Sequence, residues 1–274
     1  MSERPSRYRH LGYLVFVYGL GGLFLLCMIV PVLISLIMSF TSAQTLKFPP
    51  PGLSLQWYAA LFDPSVSSIV QGAAWNTLQV AVLAVLASLV FAVPAAFGMA
   101  RISARRANML EPLFLAPMVL PSLVYGLALL IAANLMHIPP SLGLVVVANV
   151  VVFGPLMYRA TASIAGQLDP SLEEASGLLG ASRWATFRRV TLPLLAPGII
   201  AGMFLVFIQS IENVSLALFL APAGTSVLPL EMFAMLQDTL DPRIAAISGV
   251  LIAIAVVILV VVQRLSPFLR QQKQ

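Results

Sequence analysis

The sequence predicts an all-α, polytopic membrane protein with six transmembrane helices. Of its 274 residues, 60% are hydrophobic and only 9% are charged, whereas soluble domains are about 45–50% apolar and about 25% charged. Several stretches carry no charge over the roughly 20 residues that a helix needs to cross the hydrocarbon core. These stretches are continuously apolar and do not alternate as the strands of an outer-membrane barrel do. The composition therefore excludes a soluble fold, a disordered chain and a β-barrel.

Five charge-free stretches locate the helices, at residues 10–46, 64–100, 112–158, 190–211 and 244–263. The longest exceeds one span and is interrupted at 134–141 by polar residues and two prolines, so it predicts two helices joined by a tight turn. The first run continues to Phe40, beyond the roughly 7–15 residues of a signal-peptide core, so we expect it to remain as a span. The six predicted spans are 11–38, 76–100, 113–133, 142–160, 194–220 and 244–263.

The basic residues predict the orientation. With the N-terminus in the cytoplasm, all Lys and Arg residues except Lys47 and Arg243 fall on the cytoplasmic side, as the positive-inside rule requires. Both termini are therefore expected to be cytoplasmic. The net charge of +5 is explained as a topology signal, so no nucleic-acid partner is expected.

This topology predicts one domain. A single transmembrane domain covers residues 11–263, between a cytoplasmic N-terminus at 1–10 and a cytoplasmic tail at 264–274. The domain includes an external segment at about residues 41–75 and a cytoplasmic loop at about residues 161–193.

Residue types for chemistry inside the membrane are scarce. Cys27 is the only cysteine, so a disulfide or a Cys-based zinc site is excluded. His10 and His137 lie outside the apolar cores, so no metal site is expected. A phosphate-binding loop needs Gly-x-x-x-x-Gly-Lys-Ser/Thr, and neither Lys47 nor Lys273 has that context. We therefore expect the chain to be no enzyme and to bind no cofactor itself.

The cytoplasmic loop predicts two short helices. Asp169 precedes a proline and two nearby glutamates, which is typical of a capped helix N-terminus. Gly180 suits the left-handed residue that ends a helix. Ser182 is placed to cap a second helix with two arginines near its end, and Pro193 is expected to start the next span.

The loop contains Glu174-Ala175-Ser176, Gly180 after three more residues, and Val190-Thr191-Leu192-Pro193 after a further nine. This pattern resembles the EAA loop of permease subunits in binding-protein-dependent ABC importers. The family pattern is Glu-Ala-Ala, three residues, Gly, nine residues and Ile-x-Leu-Pro, so Ser176 replaces an Ala and Val190 an Ile. The position before the second-last span agrees as well. Below, the loop at about residues 161–193 is called the EAA-like loop.

The resemblance implies a type I ABC importer permease, a multi-pass protein of the bacterial inner membrane. It implies that the EAA-like loop forms a coupling helix that docks on a separate ABC ATPase dimer, whose closure rocks the spans between inward-open and outward-open states. It also implies a second permease subunit forming a heterodimer, and an external solute-binding protein. ATP and Mg would be used by the ATPase. The residues implied at the ATPase coupling site are Glu173, Glu174, Ala175, Ser176, Gly180 and Pro193.

A second resemblance lies nearer the C-terminus. Residues 210–220, 225–232 and 241–248 are similar to the second permease chain of spermidine/putrescine-type importers. Those relatives often have adjacent acids where this chain has Glu212 and Asn213. The sequence favours a polyamine-like cation as the solute; phosphonate compounds, other small solutes and ferric iron are alternatives. A non-ABC channel or a scaffold subunit is the alternative of a different class.

A polar stripe in the fifth span predicts the translocation pathway. Gln209, Glu212 and Asn213 stand at i, i+3 and i+4, which is one face of a helix. A carboxylate inside a span usually lines a water-filled path or pairs with a neighbouring helix, and both alternatives remain open for Glu212. Further candidates for the pathway, each also able to form a helix–helix hydrogen bond, are Asn76, Tyr125 and Asn149.

Overall fold

The computed structural model of the protein describes residues 7–271. Arg4 and Lys273, which contribute to the predicted cytoplasmic termini, lie outside the described residues. The described residues are helical, and their only β-type pairing is a bridge between Thr41 and Leu53. The helices are α1 Arg7–Ser39, α2 Gln56–Phe62, α3 Pro64–Met99, α4 Ala104–Val119, α5 Ser122–Leu135, α6 Leu142–Ala165, α7 Ser171–Leu178, α8 Arg183–Thr186, a π-helical turn Phe187–Thr191, α9 Leu192–Glu212, α10 Val214–Leu220, α11 Leu228–Asp238 and α12 Arg243–Gln271.

The membrane-spanning helices agree with the predicted all-α class. Among the described residues, five helical segments are long and apolar enough to span, and a sixth is added if α4 and α5 form one broken span. The five segments are Phe16–Ser39, Pro64–Met99, Leu142–Ala165, Arg183–Glu212 and Arg243–Val261.

The prediction of one continuous helix at 113–133 is wrong. α4 ends at Val119 and α5 begins at Ser122, and their axes are bent by 96°. Between them Leu120 and Pro121 have ψ angles of 135° and 131°, far from helical values. Proline lacks an N–H and disfavours a helical conformation in the residue before it, which explains the break. The pair is a broken span or a re-entrant loop.

The predicted C-terminal limit of the fifth span, 194–220, is also wrong. α9 begins at Leu192 with Pro193 in its first turn, close to the predicted start, and helical backbone extends before it back to Arg183. The ring of a proline crowds the carbonyl four residues earlier, and here a wider π-helical turn immediately precedes α9. At the other end, Asn213 has a ψ of 100° and separates α9 from α10.

The second span begins earlier than predicted, which shortens the expected external segment at 41–75. α3 starts at Pro64, with one non-helical residue at Ser67. The backbone N–H of Ser65 donates to Asp63 Oδ1 at 2.9 Å, so an Asp-Pro sequence caps this helix.

The described residues divide into two compact units. One contains the residues up to 66 together with 235–252, and the other contains 67–234 and the residues from 253 onward. In the first unit, Tyr58 Oη donates to Ser39 Oγ at 2.8 Å, and Trp57 Nε1 donates to the Ala43 carbonyl.

The second unit is built around the packing of α6 against α9. A Cβ on Gly202 would lie 2.7 Å from Met157 Cα, so the two backbones approach as closely as glycine permits. Met157, Leu195 and Val206 are completely buried at this contact. The EAA-like loop lies between these two helices in the chain, so their packing fixes both of its ends.

Candidate functional site

The EAA-like loop presents α7 through a capped N-terminus. Asp169 Oδ1 accepts from the backbone N–H of Ser171 at 2.9 Å, and two glutamates lie in the first turn of the helix. The cap predicted for Asp169 is therefore present. The hydrogen bond from the Ser171 backbone holds the pKa of the Asp169 carboxyl below its usual value, because it favours the charged form.

The C-terminus of α7 is a Schellman motif around Gly180. Gly180 has a φ of +83°, a left-handed conformation that favours glycine. Its N–H donates to the Gly177 carbonyl at 2.9 Å, and the N–H of Ala181 donates to the Ser176 carbonyl at 3.2 Å. Gly180 thus reverses the chain after α7, as its sequence position predicted.

A second short helix packs beside α7. Ser182 Oγ accepts from the backbone N–H of Ala185 at 3.3 Å and caps α8, as predicted. The hydroxyls of Ser176 and Thr186 lie 2.9 Å apart and form a hydrogen bond between the two short helices. Ser176 is therefore partly buried against α8.

The two adjacent glutamates of α7 have different surroundings. Glu174 and Ala175 are exposed. Glu173 is partly buried and forms an ion pair with Arg101, while Thr191 Oγ1 donates to the same carboxylate oxygen at 2.7 Å. The Arg101 guanidinium, assisted by the Thr191 hydroxyl, holds the pKa of the Glu173 carboxyl below its usual value.

The ion pair borders an open cavity of about 350 Å³. The Arg101 guanidinium lies 4.6 Å from the centroid of the Phe97 ring, within the range of a cation–π interaction. The rings of Phe97 and Phe187 meet edge-on with centroids 5.6 Å apart. Arg101 is thus held by an aromatic contact from α3 as well as by Glu173.

Exposed apolar side chains surround the C-terminus of α7, and the sequence reasoning did not single them out. Leu178 is 90% exposed and Leu179 is 89% exposed, and Trp184 and Leu172 are also exposed. Large apolar side chains that protrude together from a loop are typical of an interaction surface. The sequence signal that could have indicated this surface is the Leu-Leu pair before Gly180. A loop that only connects two helices does not need two adjacent large apolar side chains.

Three of the residues predicted in the translocation pathway form hydrogen bonds with the protein backbone. Asn213 directly follows α9, and its Oδ1 accepts from the backbone N–H of Leu216 at 2.7 Å and caps α10. Asn76 Nδ2 donates to the Ser226 carbonyl at 2.9 Å. Asn149 is buried, and its Nδ2 donates to the Val145 carbonyl at 2.8 Å, while its Oδ1 has no partner.

The other pathway candidates are accessible. Gln209 and Glu212 are exposed and lie one turn apart at the end of α9, and Tyr125 in α5 is partly exposed. The structure adds Glu111, which lies inside α4 beside an open cavity of about 440 Å³. The sequence reasoning missed Glu111 because it placed the start of the third span two residues after it.

Metal ligation finds no support in the described part of the chain. No group of three or more His, Cys, Asp or Glu side chains is close enough to hold a metal ion there.

The family described as "Binding-protein-dependent transport system inner membrane component" matches residues 89–271, which is more than half of the chain. The chain belongs to this family. It is therefore a permease subunit of an ABC importer in the inner membrane, and ATP hydrolysis belongs to a separate subunit. The match includes the EAA-like loop and Glu212, whereas Asn76 lies outside it.

Curated relatives from several transport systems are similar over most of their length. The putrescine transport system permease protein of Escherichia coli K12 is 29% identical over 81% of this chain and 80% of its own. A Salmonella choleraesuis permease protein named for 2-aminoethylphosphonate transport is 25% identical over 86% and 89%. A Haloferax volcanii permease protein named for a molybdenum ABC transporter is 32% identical over 72% and 76%.

Solved structures share the fold. A crystal structure of a bacterial ABC transporter that imports the acidic polysaccharide alginate contains a chain with a TM-score of 0.70 at 16% identity, covering 97% of this chain and 99% of that one. The alginate transporter in complex with a periplasmic protein bound to an alginate pentasaccharide gives a TM-score of 0.66 at 16% identity, covering 95% of both chains.

Proposed function

We propose that this chain pairs with a second, different permease subunit to form the translocation pathway of an ATP-driven importer. An ABC ATPase dimer docks on the EAA-like loop, and an external binding protein delivers a small organic solute. Both termini and the EAA-like loop lie in the cytoplasm. ATP and Mg are used by the ATPase, and this chain binds no cofactor.

The observation that carries the proposal is the exposure of α7. Glu174, Ala175, Leu178 and Leu179 protrude from a helix that is capped at both ends. A rigid helix with an apolar tip and one exposed acid fits a groove on a partner protein. The same surface has no role in a non-ABC channel or a scaffold, and the family membership removes that alternative.

A polyamine-like cation is the solute that we favour. Glu212 and Gln209 are exposed one turn apart, and together they offer a negative charge and a hydrogen-bonding amide to a translocating amine. The relative named for putrescine supports this choice. The relative named for 2-aminoethylphosphonate supports a zwitterionic alternative, and the relative named for molybdenum supports an oxyanion. Ferric iron and other small solutes are further candidates.

Uptake into proteoliposomes tests the solute. The purified transporter, with ATP inside and the binding protein outside, should take up labelled putrescine in preference to 2-aminoethylphosphonate or molybdate. Glu212→Gln should lower putrescine uptake about tenfold, because neutralising a pathway carboxylate removes its attraction for the amine. Glu231→Gln, a matched change in α11 outside the predicted pathway, should keep wild-type uptake. Equal uptake by wild type and Glu212→Gln would contradict the cation assignment.

A further inference from the structure

Glu173 connects three segments of the second unit through one carboxylate oxygen. Its Oε1 accepts from Arg101 Nη2 and from Thr191 Oγ1. Arg101 lies two residues after the end of α3, and Thr191 directly precedes α9. We call Arg101, Glu173 and Thr191 the Glu173 junction. Through this junction α7 is joined to the end of one spanning helix and to the start of another.

Few other interactions hold α7 in place. The helix contains no buried residue, so hydrophobic packing contributes little to its position. Among the described residues, its other side-chain hydrogen bond to a neighbouring helix is the hydroxyl pair of Ser176 and Thr186, which reaches α8 at the start of the helical segment that continues into α9. In that part of the chain the Glu173 junction is thus the side-chain link between α7 and the end of α3, and a second link to the segment that contains α9.

The arginine of the junction is itself held in position. Phe97 of α3 lies beneath the Arg101 guanidinium, and the Phe97 ring contacts Phe187 in the π-helical turn. A guanidinium held by an aromatic face on one side and a carboxylate on the other has little freedom to change partners. A displacement of Glu173 must therefore be followed by Arg101 and by the end of α3.

We propose that the Glu173 junction transmits the movement of α7 into α3 and α9, while Glu174 serves the ATPase contact. This inference rests on the proposed function, in which an ATPase moves α7. With the junction intact, α7 moves together with both helices. Without it, α7 turns about Gly180 and about the chain before Asp169, and ATP hydrolysis drives less transport. Glu173, Arg101 and Thr191 are positioning residues in this scheme.

The test compares two identical substitutions at adjacent positions, Glu173→Gln and Glu174→Gln. Each is purified as the full transporter, and three quantities are measured: the ATPase recovered with the chain, the ATP hydrolysed, and the labelled putrescine transported per ATP. Glu173→Gln should retain wild-type recovery of the ATPase and should lower the solute transported per ATP about threefold to tenfold. Glu174→Gln should lower the recovery of the ATPase instead.

Two further variants separate transmission from simple loss of structure. Thr191→Val removes one donor to Glu173 while keeping the shape of the side chain, and should lower the transport ratio in the same direction. The exchange Arg101→Glu with Glu173→Arg keeps an ion pair but loses the contact with the Phe97 ring, so it should raise the ratio above that of Glu173→Gln without restoring the wild-type value.

Three results would overturn the inference. The first is a Glu173→Gln variant that loses the ATPase as Glu174→Gln does, because Glu173 would then be a contact residue. The second is a Glu173→Gln variant with a wild-type transport ratio. The third is a wild-type ratio of solute transported to ATP hydrolysed in both Thr191→Val and Arg101→Gln. This result decides the question if the Glu173→Gln protein does not accumulate in cells. If no ATPase co-purifies with the wild-type chain, the proposed function itself is wrong. That result differs from the three above, which contradict only the role of the Glu173 junction.

Discussion

Glu173 and Glu174 are adjacent in the sequence, but their carboxylates have different surroundings. Successive residues of a helix point about 100° apart, so one glutamate reaches Arg101 while the next faces solvent. The family pattern begins at Glu174, and Glu173 precedes it. The resemblance alone therefore gave both acids the same predicted role, and only the distances separate them.

The lowered pKa of Glu173 predicts how the junction responds to acid. A carboxyl whose pKa is lower in the folded state contributes stability above its unfolded pKa and loses it as the pH falls through the folded pKa. The junction should therefore survive as the pH falls through the usual range of a glutamate and break only below it. Hydrogen-exchange protection factors of α7 measure this directly, and in Arg101→Gln they should fall at a higher pH. Identical pH profiles for the two proteins would contradict the assignment.

Gly180 should be required at the end of α7 because it adopts a left-handed backbone conformation. Gly180→Ala places a Cβ in a left-handed residue and should weaken the end of α7 by about 1–2 kcal/mol. Gly177→Ala is the matched control, because it lies inside the same helix with no atom within 4 Å of the added Cβ. That control should strengthen α7 by up to about 1 kcal/mol. Amide hydrogen exchange within the loop measures both effects. Faster exchange in Gly177→Ala but not in Gly180→Ala would contradict this prediction.

Three helices begin with the same sequence signal, an aspartate followed by a proline. The backbone N–H two residues after an aspartate donates to its carboxylate at Asp63, Asp169 and Asp241, and a proline follows the aspartate each time. The sequence reasoning used this signal for α7. Applied to Asp63 it would have placed the start of α3 correctly at Pro64.

At the scale of the helices, the contact between α6 and α9 should be sensitive to a single methyl group. Gly202→Ala brings a Cβ to 2.7 Å from Met157 Cα, which is backbone and cannot move aside. Overpacking of this kind costs about 1–3 kcal/mol. Gly72→Ala in α3 is the control, since no atom lies within 4 Å of its added Cβ. Thermal unfolding in detergent should show a lower Tm for Gly202→Ala alone, and equal Tm values for both variants would argue against this packing.

Long apolar runs predicted where the helices lie but not where they break. Pro121 and Asn213 interrupt runs that hydropathy treats as continuous, and both interruptions have local chemical causes. A proline and a capping asparagine are visible in the sequence. The pairing of Glu173 with Arg101 is different, because 72 residues separate the two and only the folded chain brings them together.

At the scale of the whole molecule, the distribution of basic residues predicts which loops share a side of the membrane. In a Cys27→Ser background, Thr45→Cys lies in the predicted external segment and Ser103→Cys in a predicted cytoplasmic turn, and both positions are exposed. A membrane-impermeant maleimide applied to cells with a permeabilised outer membrane should label position 45. Position 103 should react only after the inner membrane is opened. The reverse pattern would invert the topology and place the EAA-like loop outside.

Family membership assigns this chain to a transporter, and we propose that the ATPase acts on the exposed α7. The EAA-like loop exposes acidic and leucine side chains. An importer permease without its own phosphate-binding loop depends on such a contact. The proposed function therefore depends on the docking of an ATPase on α7.

Co-purification tests whether an ATPase docks on α7. The tagged chain is extracted in mild detergent, and the co-purifying proteins are identified by mass spectrometry for wild type and for Glu174→Arg. Wild type should recover an ATPase with a phosphate-binding loop and a second multi-span permease chain. Glu174→Arg should lose the ATPase and keep the second permease, because reversing the charge affects only the exposed surface of α7. Recovery of no ATPase by wild type, or of equal amounts by both proteins, would contradict the account.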